Sequence, residues 1–104
     1  MNNNDFIPDK DREFLSWAIN FLKYLHASLT RFNFPNDVYQ QLTAQRDDYS
    51  DKLEIADEPA TRTKPSVQAK NDSRKTLEKS LRQAVKEYLA NNHLVTDEDR
   101  DNLG

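Results

Sequence analysis

One stretch limits what this chain can become. Residues 14–29, FLSWAINFLKYLHASL, set Phe14, Leu15, Ala18, Ile19, Phe21, Leu22, Leu25 and Leu29 on one wide apolar arc when wound as a helix. Trp17 and Tyr24 extend the arc at one margin, and Glu13, Ser16, Asn20, Lys23 and Thr30 fill the narrower arc left over. A helix with one buried side needs an apolar stripe of only about 100°, and this arc is roughly twice as wide. Such a helix must touch two other elements at once. The stretch therefore reads as the central post of a small helical bundle, with the rest of the chain wrapped around it.

Composition supports helices over sheets. Charged residues make up 32% of the 104, and there is a single glycine. No Asn-Gly or Asp-Gly pair offers a tight hairpin. A chain of this length buries roughly 60–65% of its unfolded surface, enough for one modest core. The absence of cysteine excludes a disulfide, a thiolate nucleophile and a zinc–cysteine site. No basic region precedes an apolar core at the N-terminus, so no secretory signal is expected. Residues 14–29 are too short, and too polar on one side, to span a bilayer. The expectation is a chain with no membrane contact, in the cytoplasm by default.

The polar residues 1–5 read as disordered. Phe6-Ile7-Pro8 reads as an extended lead-in, because the residue before proline avoids the helical region, and it can fold back on the first helical turn like a hydrophobic staple. Residues 1–8 are thus an arm and 9–104 one helical domain. The first helix is predicted over 9–31, with Asp9 as N-cap and Asp11 and Glu13 where the helix dipole favours negative charge. Pro35 forces a turn. Asn36 or Asp37 then caps a second helix over 36–58, whose seam is Val38, Leu42, Tyr49, Leu53 and Ala56. Pro59 and Pro65 bracket a loop. Ser66 opens a third helix over 66–91, with Val67, Leu77, Leu81, Ala84, Val85, Tyr88 and Leu89 on one face. Asn91-Asn92 stop it, since asparagine tolerates the left-handed conformation. Thr96 followed by Asp99 approximates a capping box for a short helix over 97–103, anchored by Val95 and Leu103. The predicted fold is all-α: a three-helix antiparallel up-down-up bundle plus a short C-terminal fourth helix.

These residues resemble a family of uncharacterised bacterial proteins. The resemblance is carried by Phe6-Ile7-Pro8 with Lys10-Asp11, then Phe14, Trp17, Asn20-Phe21 and Tyr24. Thr63, Lys70-Asn71, Arg74, Leu77 and Leu81-Arg82 continue it, and Val95-Thr96-Asp97, Asp99-Arg100 and Leu103-Gly104 close it. It implies a helical bundle, followed in longer members by a separate β-rich domain, so the chain would be one domain of a larger protein or a minimal member. It brings no activity and no catalytic residue.

Charge is segregated. Residues 37–58 hold seven acids against two bases, and residues 62–86 eight bases against two acids. Within the basic part, Lys70 and Arg74 fall on the apolar face of helix three. If that helix runs parallel to helix one, Arg74 lies near Trp17, and both cations lie near Glu54, Asp57 and Glu58. The reading is a half-buried ion-pair or cation–π cluster, with an anion pocket as the sharper alternative. Lys75, Lys79, Arg82 and Lys86 recur at steps of four, three and four on the opposite face. A solvated face, an acidic protein partner such as another copy's helix two, and nucleic acid are the three readings of that stripe. The pI near 5.3 argues against nucleic acid.

His26 and His93 lack any metal-ligand spacing, and residues 97–101 lack the glycine of a calcium loop. No nucleophile elbow, phosphate loop or dinucleotide fingerprint is present. No catalytic residue, metal or cofactor is therefore expected. The reading is a non-catalytic interaction or packing module, self-associating or the N-terminal domain of a larger protein. Polyanion binding through the stripe and a small-anion site at Lys70 and Arg74 are the alternatives.

Overall fold

Phe6-Ile7-Pro8 is already held. The computed structural model describes residues 6–104, and in it Ile7 is buried and the Phe6 ring lies 5.3 Å from that of Trp17. The disorder expected over residues 1–5 falls outside the described residues. Five helices follow: α1 (Asp11–Ala27), a single turn α2 (Leu29–Phe32), α3 (Asn36–Asp57), α4 (Lys64–Ala84) and α5 (Asp97–Leu103). A π-helical turn, Val85–Leu89, continues α4. The described residues contain no strand, so the all-α expectation holds.

The helix ends differ from the sequence reading in ways that side-chain chemistry explains. The first helix starts at Asp11, with Lys10 rather than Asp9 at the N-cap and no side-chain cap bond. It breaks at the buried Ser28, whose backbone N–H turns back to the Leu25 carbonyl. Asn33 then closes α2 in the left-handed region, at φ 55. Pro35 itself occupies the N-cap position of α3, so Asn36 and Asp37 sit inside the first turn and cap nothing. Glu58, before Pro59, is extended and ends α3, as the clash with a proline ring requires. The N-cap of α4 is Thr63, not Ser66. Ser66 is the third helical residue and returns the bond, completing a capping box, while Pro65 is tolerated in the first turn.

Asn91 and Asn92 do not stop the helix through left-handed backbone. Among the described residues, Asn33 is the one non-glycine residue with positive φ. Instead the amide of Asn92 donates to the Phe32 and Tyr88 carbonyls at 2.7 and 3.0 Å. The π turn has its own logic. At about 100° per residue, Leu89 would fall to one side of the stripe set by Leu77, Leu81 and Ala84. A wider turn, closed by the Ala90 N–H on the Val85 carbonyl, absorbs a residue and leaves Leu89 buried.

One cluster joins all the helices. Its fully buried side chains include Phe14, Leu22 and Leu25 of α1, Phe32 of α2, Leu42, Tyr49 and Leu53 of α3, and Leu77 and Leu81 of α4. The most extensive packing is between α3 and α4, while α1 packs on α3 and on α5. By backbone approach the post has two main neighbours, α3 and the short α5, and α4 reaches it through the side chains of Lys70 and Arg74. Its arc is also narrower than expected, since Ile19 is 46% exposed. Among the described residues, no helix is long and apolar enough to cross a membrane.

Removing the ring of Phe14, which is 0% exposed, should lower stability by about 3–5 kcal/mol in Phe14→Ala. The same measurement, a denaturant midpoint, should move by no more than about 0.5 kcal/mol in Ile19→Ala.

Candidate functional site

Asp11 opens α1, three residues before Phe14 and on the same helical face. The acid therefore points at the core, where an unpaired carboxylate would be costly. Three side chains from two helices answer it. Lys70 of α4 reaches Asp11 Oδ2 at 2.8 Å, and Arg74, one turn later, reaches Oδ1 at 2.9 Å. The Tyr49 hydroxyl of α3 donates to Oδ1 at 2.8 Å. Arg74 is further committed through Nε to Glu78, at 2.6 Å, and through Nη2 to the Pro8 carbonyl, also at 2.6 Å. Its guanidinium carbon lies 4.5 Å from the centre of the Phe14 ring. The side chains of Lys70 and Arg74 are each only 14% exposed.

The electrostatics follow from those contacts. Burial pushes the Asp11 carboxyl up, but hydrogen bonds from Lys70, Arg74 and Tyr49 together outweigh it and hold the group at about 2. Burial, then the bond to Asp11, raises the Tyr49 phenol above its usual range. For Arg74, burial acts downward, yet bonds to Glu78 and Asp11 leave the guanidinium more firmly charged than usual. Two acids and two bases face one another, so the cluster is balanced within itself.

The sequence singled out Lys70 and Arg74 correctly as paired cations on an apolar face, but not their partners. Glu54, Asp57 and Glu58 do not meet them. Asp57 pairs instead with Arg12, at 2.8 Å. Nor does Arg74 stack on Trp17. That indole packs among Phe6, Phe14 and Phe21, with ring centres 5.0–6.4 Å away. Its Nε1 is buried without a partner, beneath Gly104, where a Cβ would approach to 2.6 Å. Trp17 is a packing residue under the end of α5.

A second polar knot gave no sequence signal as a site. Asp99, 3% exposed, sits in the first turn of α5 and completes the capping box with Thr96. Arg31 grips it with both terminal nitrogens, Nη1 to Oδ2 at 2.6 Å and Nη2 to Oδ1 at 2.7 Å. The Tyr24 hydroxyl adds a third donor at 2.6 Å. Arg31 first, then Tyr24, hold the Asp99 carboxyl far below the usual carboxylate range. The local Thr96–Asp99 spacing was readable, but nothing in it names an arginine 68 positions away.

The stripe Lys75, Lys79, Arg82 and Lys86 is exposed along the outer face of α4 and of the π turn that continues it. Arg82 approaches Glu78 at 3.5 Å. Lys75, Lys79 and Lys86 make no ion pair with any described residue. Among the described residues no group of His, Cys, Asp and Glu is placed to hold a metal. His26 stacks on Tyr39, with ring centres 5.2 Å apart.

Comparison with protein-family models, with curated proteins and with solved structures finds no match. The family resemblance therefore rests on its quoted residues alone.

Asp11→Asn leaves Lys70 and Arg74 facing a neutral amide and should destabilise the fold by about 2–3 kcal/mol, below the range for a fully buried pair because the site is partly wet. The Asp11 carboxyl lies below its ordinary 3.8 in the folded chain. Its contribution is thus complete above that value and lost as pH falls towards 2. Acid titration of stability should lose up to about 2 kcal/mol over that window, and Asp11→Asn should lack this component. Asp99→Asn should speed amide exchange in α5 while leaving α3 and α4 protected. Arg31→Lys should do the same, because an ammonium cannot reproduce the two-pronged grip.

Proposed function

We propose that this protein is a non-catalytic helical interaction module, acting alone or as the N-terminal domain of a longer chain. The observation that supports it best is a contrast between inside and outside. Inside, Asp11, Lys70, Arg74 and Glu78 satisfy one another, and the buried Asp99 is satisfied by the half-exposed Arg31. Outside, the cations of Lys75, Lys79 and Lys86 have no counter-ion on the described chain. Folding does not need that stripe, and like charges at steps of three and four weaken a helix by a few tenths of a kcal/mol each.

The grooves support binding over catalysis. One between α3 and α4, of about 230 Å³, is lined by Val38, Gln41, Ser80, Gln83 and Tyr88 among others. A wider one includes Ser73, whose hydroxyl donates to Asp48 Oδ2 at 2.6 Å. That pair has no histidine, and the bond from Ser73, with that from Lys52, holds Asp48 below its ordinary range. A carboxylate so held is a poor base for a serine.

The second reading is polyanion binding through the same stripe, favoured only by its spacing. The acidic balance of the whole chain opposes it. At Lys70 and Arg74 the charges are already matched by Asp11 and Glu78, which leaves little to recruit a small anion.

Titration with polyglutamate at moderate salt, followed by amide NMR, should shift signals on the outer face of α4 and leave those around Asp11 unchanged. Tighter retention of duplex DNA than of polyglutamate at equal salt would replace this reading with the polyanion one. No response to either would remove both.

A further inference from the structure

We infer that the partner is a second copy of this chain, whose α3 lays its acidic outer face on the basic outer face of α4. The inference rests on the interaction-module reading and names its occupant.

The basic face is Lys75, Lys79, Arg82 and Lys86, at steps of four, three and four. Asp47, Asp51 and Glu54 of α3, with Glu58 at its C-cap, form an acidic counterpart at the same steps, all exposed. Each stripe runs over eleven residue steps, about 16 Å of helix. The sequence of steps reads the same in both directions, so the two stripes match whether the helices meet parallel or antiparallel. Each also stands opposite its own buried seam. Asp51 lies midway between the buried Tyr49 and Leu53, and Lys79 midway between the buried Leu77 and Leu81.

The stripes cannot satisfy each other within one chain. Ser73 bonds to Asp48, which puts residues 73 and 48 at the same level of the α3–α4 pair. From there the basic stripe runs away from the connecting loop and the acidic stripe runs toward it. At the level of Lys79 and Lys86, α3 offers one acid, Asp37, and Asp47, about level with Lys75, is taken by its neighbour Arg46. At the level of Asp51, Glu54 and Glu58, the inward-facing cations Lys70 and Arg74 are committed to Asp11 and Glu78. Asp51, Glu54 and Glu58 make no ion pair with any described residue, and Asp47 meets only its neighbour Arg46. Ile55, 47% exposed, sits beside Asp51 and Glu58, where the stem of an incoming lysine can cover it.

The test is the mass of the full chain in solution by sedimentation equilibrium. At about 0.01 M salt the average mass should rise with concentration above the 12.2 kDa monomer. Raising salt to about 0.3 M should weaken association by about tenfold or more, as the screening length shrinks. Two variants separate the faces: Lys75→Glu/Lys79→Glu/Lys86→Glu and Asp51→Lys/Glu54→Lys/Glu58→Lys. Each should be monomeric alone and keep the helical circular dichroism of the parent, since the positions are exposed. An equimolar mixture of the two should associate again, which a merely structural effect of the substitutions would not produce. A parent chain that stays at monomer mass in low salt overturns the inference, as does association that survives high salt and both reversals. If the monomeric parent still responds to polyglutamate, only the identity of the partner fails and the module reading stands. If DNA binding is what the lysine reversal abolishes, the stripe serves nucleic acid and the inference falls.

Discussion

The bundle is arranged around one carboxylate. Asp11 stands at the start of α1 on its core-facing side, and a charge there is tolerable only if the fold brings it partners. Those partners come from Tyr49 of α3 and from Lys70 and Arg74 of α4. The requirement explains three otherwise separate features. Helix α4 carries two cations on an apolar face. Helix α1 runs parallel to α4, because only that direction puts Asp11 beside the first half of α4. The lead-in ends at Pro8, whose carbonyl, lacking a helical partner, takes a bond from Arg74. Phe14 then shields the guanidinium from below. A hydrophobic core alone would accept several rotations of α1. A charge that must meet two cations and a phenol accepts one.

At the other end, side chains do what a short helix cannot do for itself. Seven residues are too few for α5 to persist alone. Its first turn is held by the Thr96–Asp99 box, and Arg31 and Tyr24 bind the same carboxylate to α2 and α1. From its last turn, Arg100 donates to the carbonyls of Leu89 and Ala90, at the end of the π turn. Asn92 ties the same region to Phe32. The break at Ser28 belongs to this design. It ends α1 early enough for a separate turn to carry Arg31, and the Ser28 hydroxyl accepts a bond from that guanidinium at 3.2 Å.

What was legible in the sequence was what depends on near neighbours along the chain. Leu42, Tyr49, Leu53 and Ala56 form the seam that their spacing predicts, and Thr96 with Asp99 caps the last helix as their separation predicts. The misread ends have local competitors. Thr63 and Ser66 are both good caps, and the choice turned on how well a proline sits in a first turn. Ile19 shares its neighbours' angular range, but only the final packing decides which edge of a wide arc stays wet. The site divides the same way. Two cations on an apolar face are visible one helix at a time. Their acid lies 59 and 63 positions earlier, where Asp11 looks like an ordinary residue of a helix start. Periodicity reports which face a residue is on, and it is silent about which foreign face it meets.

That limit bears on the charges that remain. A buried ion must find its partner within the chain, because desolvation leaves no alternative, so the interior pairs follow from folding itself. An exposed ion is under no such compulsion, as water and salt stabilise it well enough. Random exposed charges would therefore show no order beyond rough alternation of sign. Here each outer face is dominated by one sign, with the same steps on both, and the two stripes run in opposite directions from the level that Asp47 and Lys75 share. Like-charge spacing makes each helix slightly worse as a helix. An arrangement that opposes local stability and contributes nothing to the core has its physical return only when something of opposite pattern comes against it.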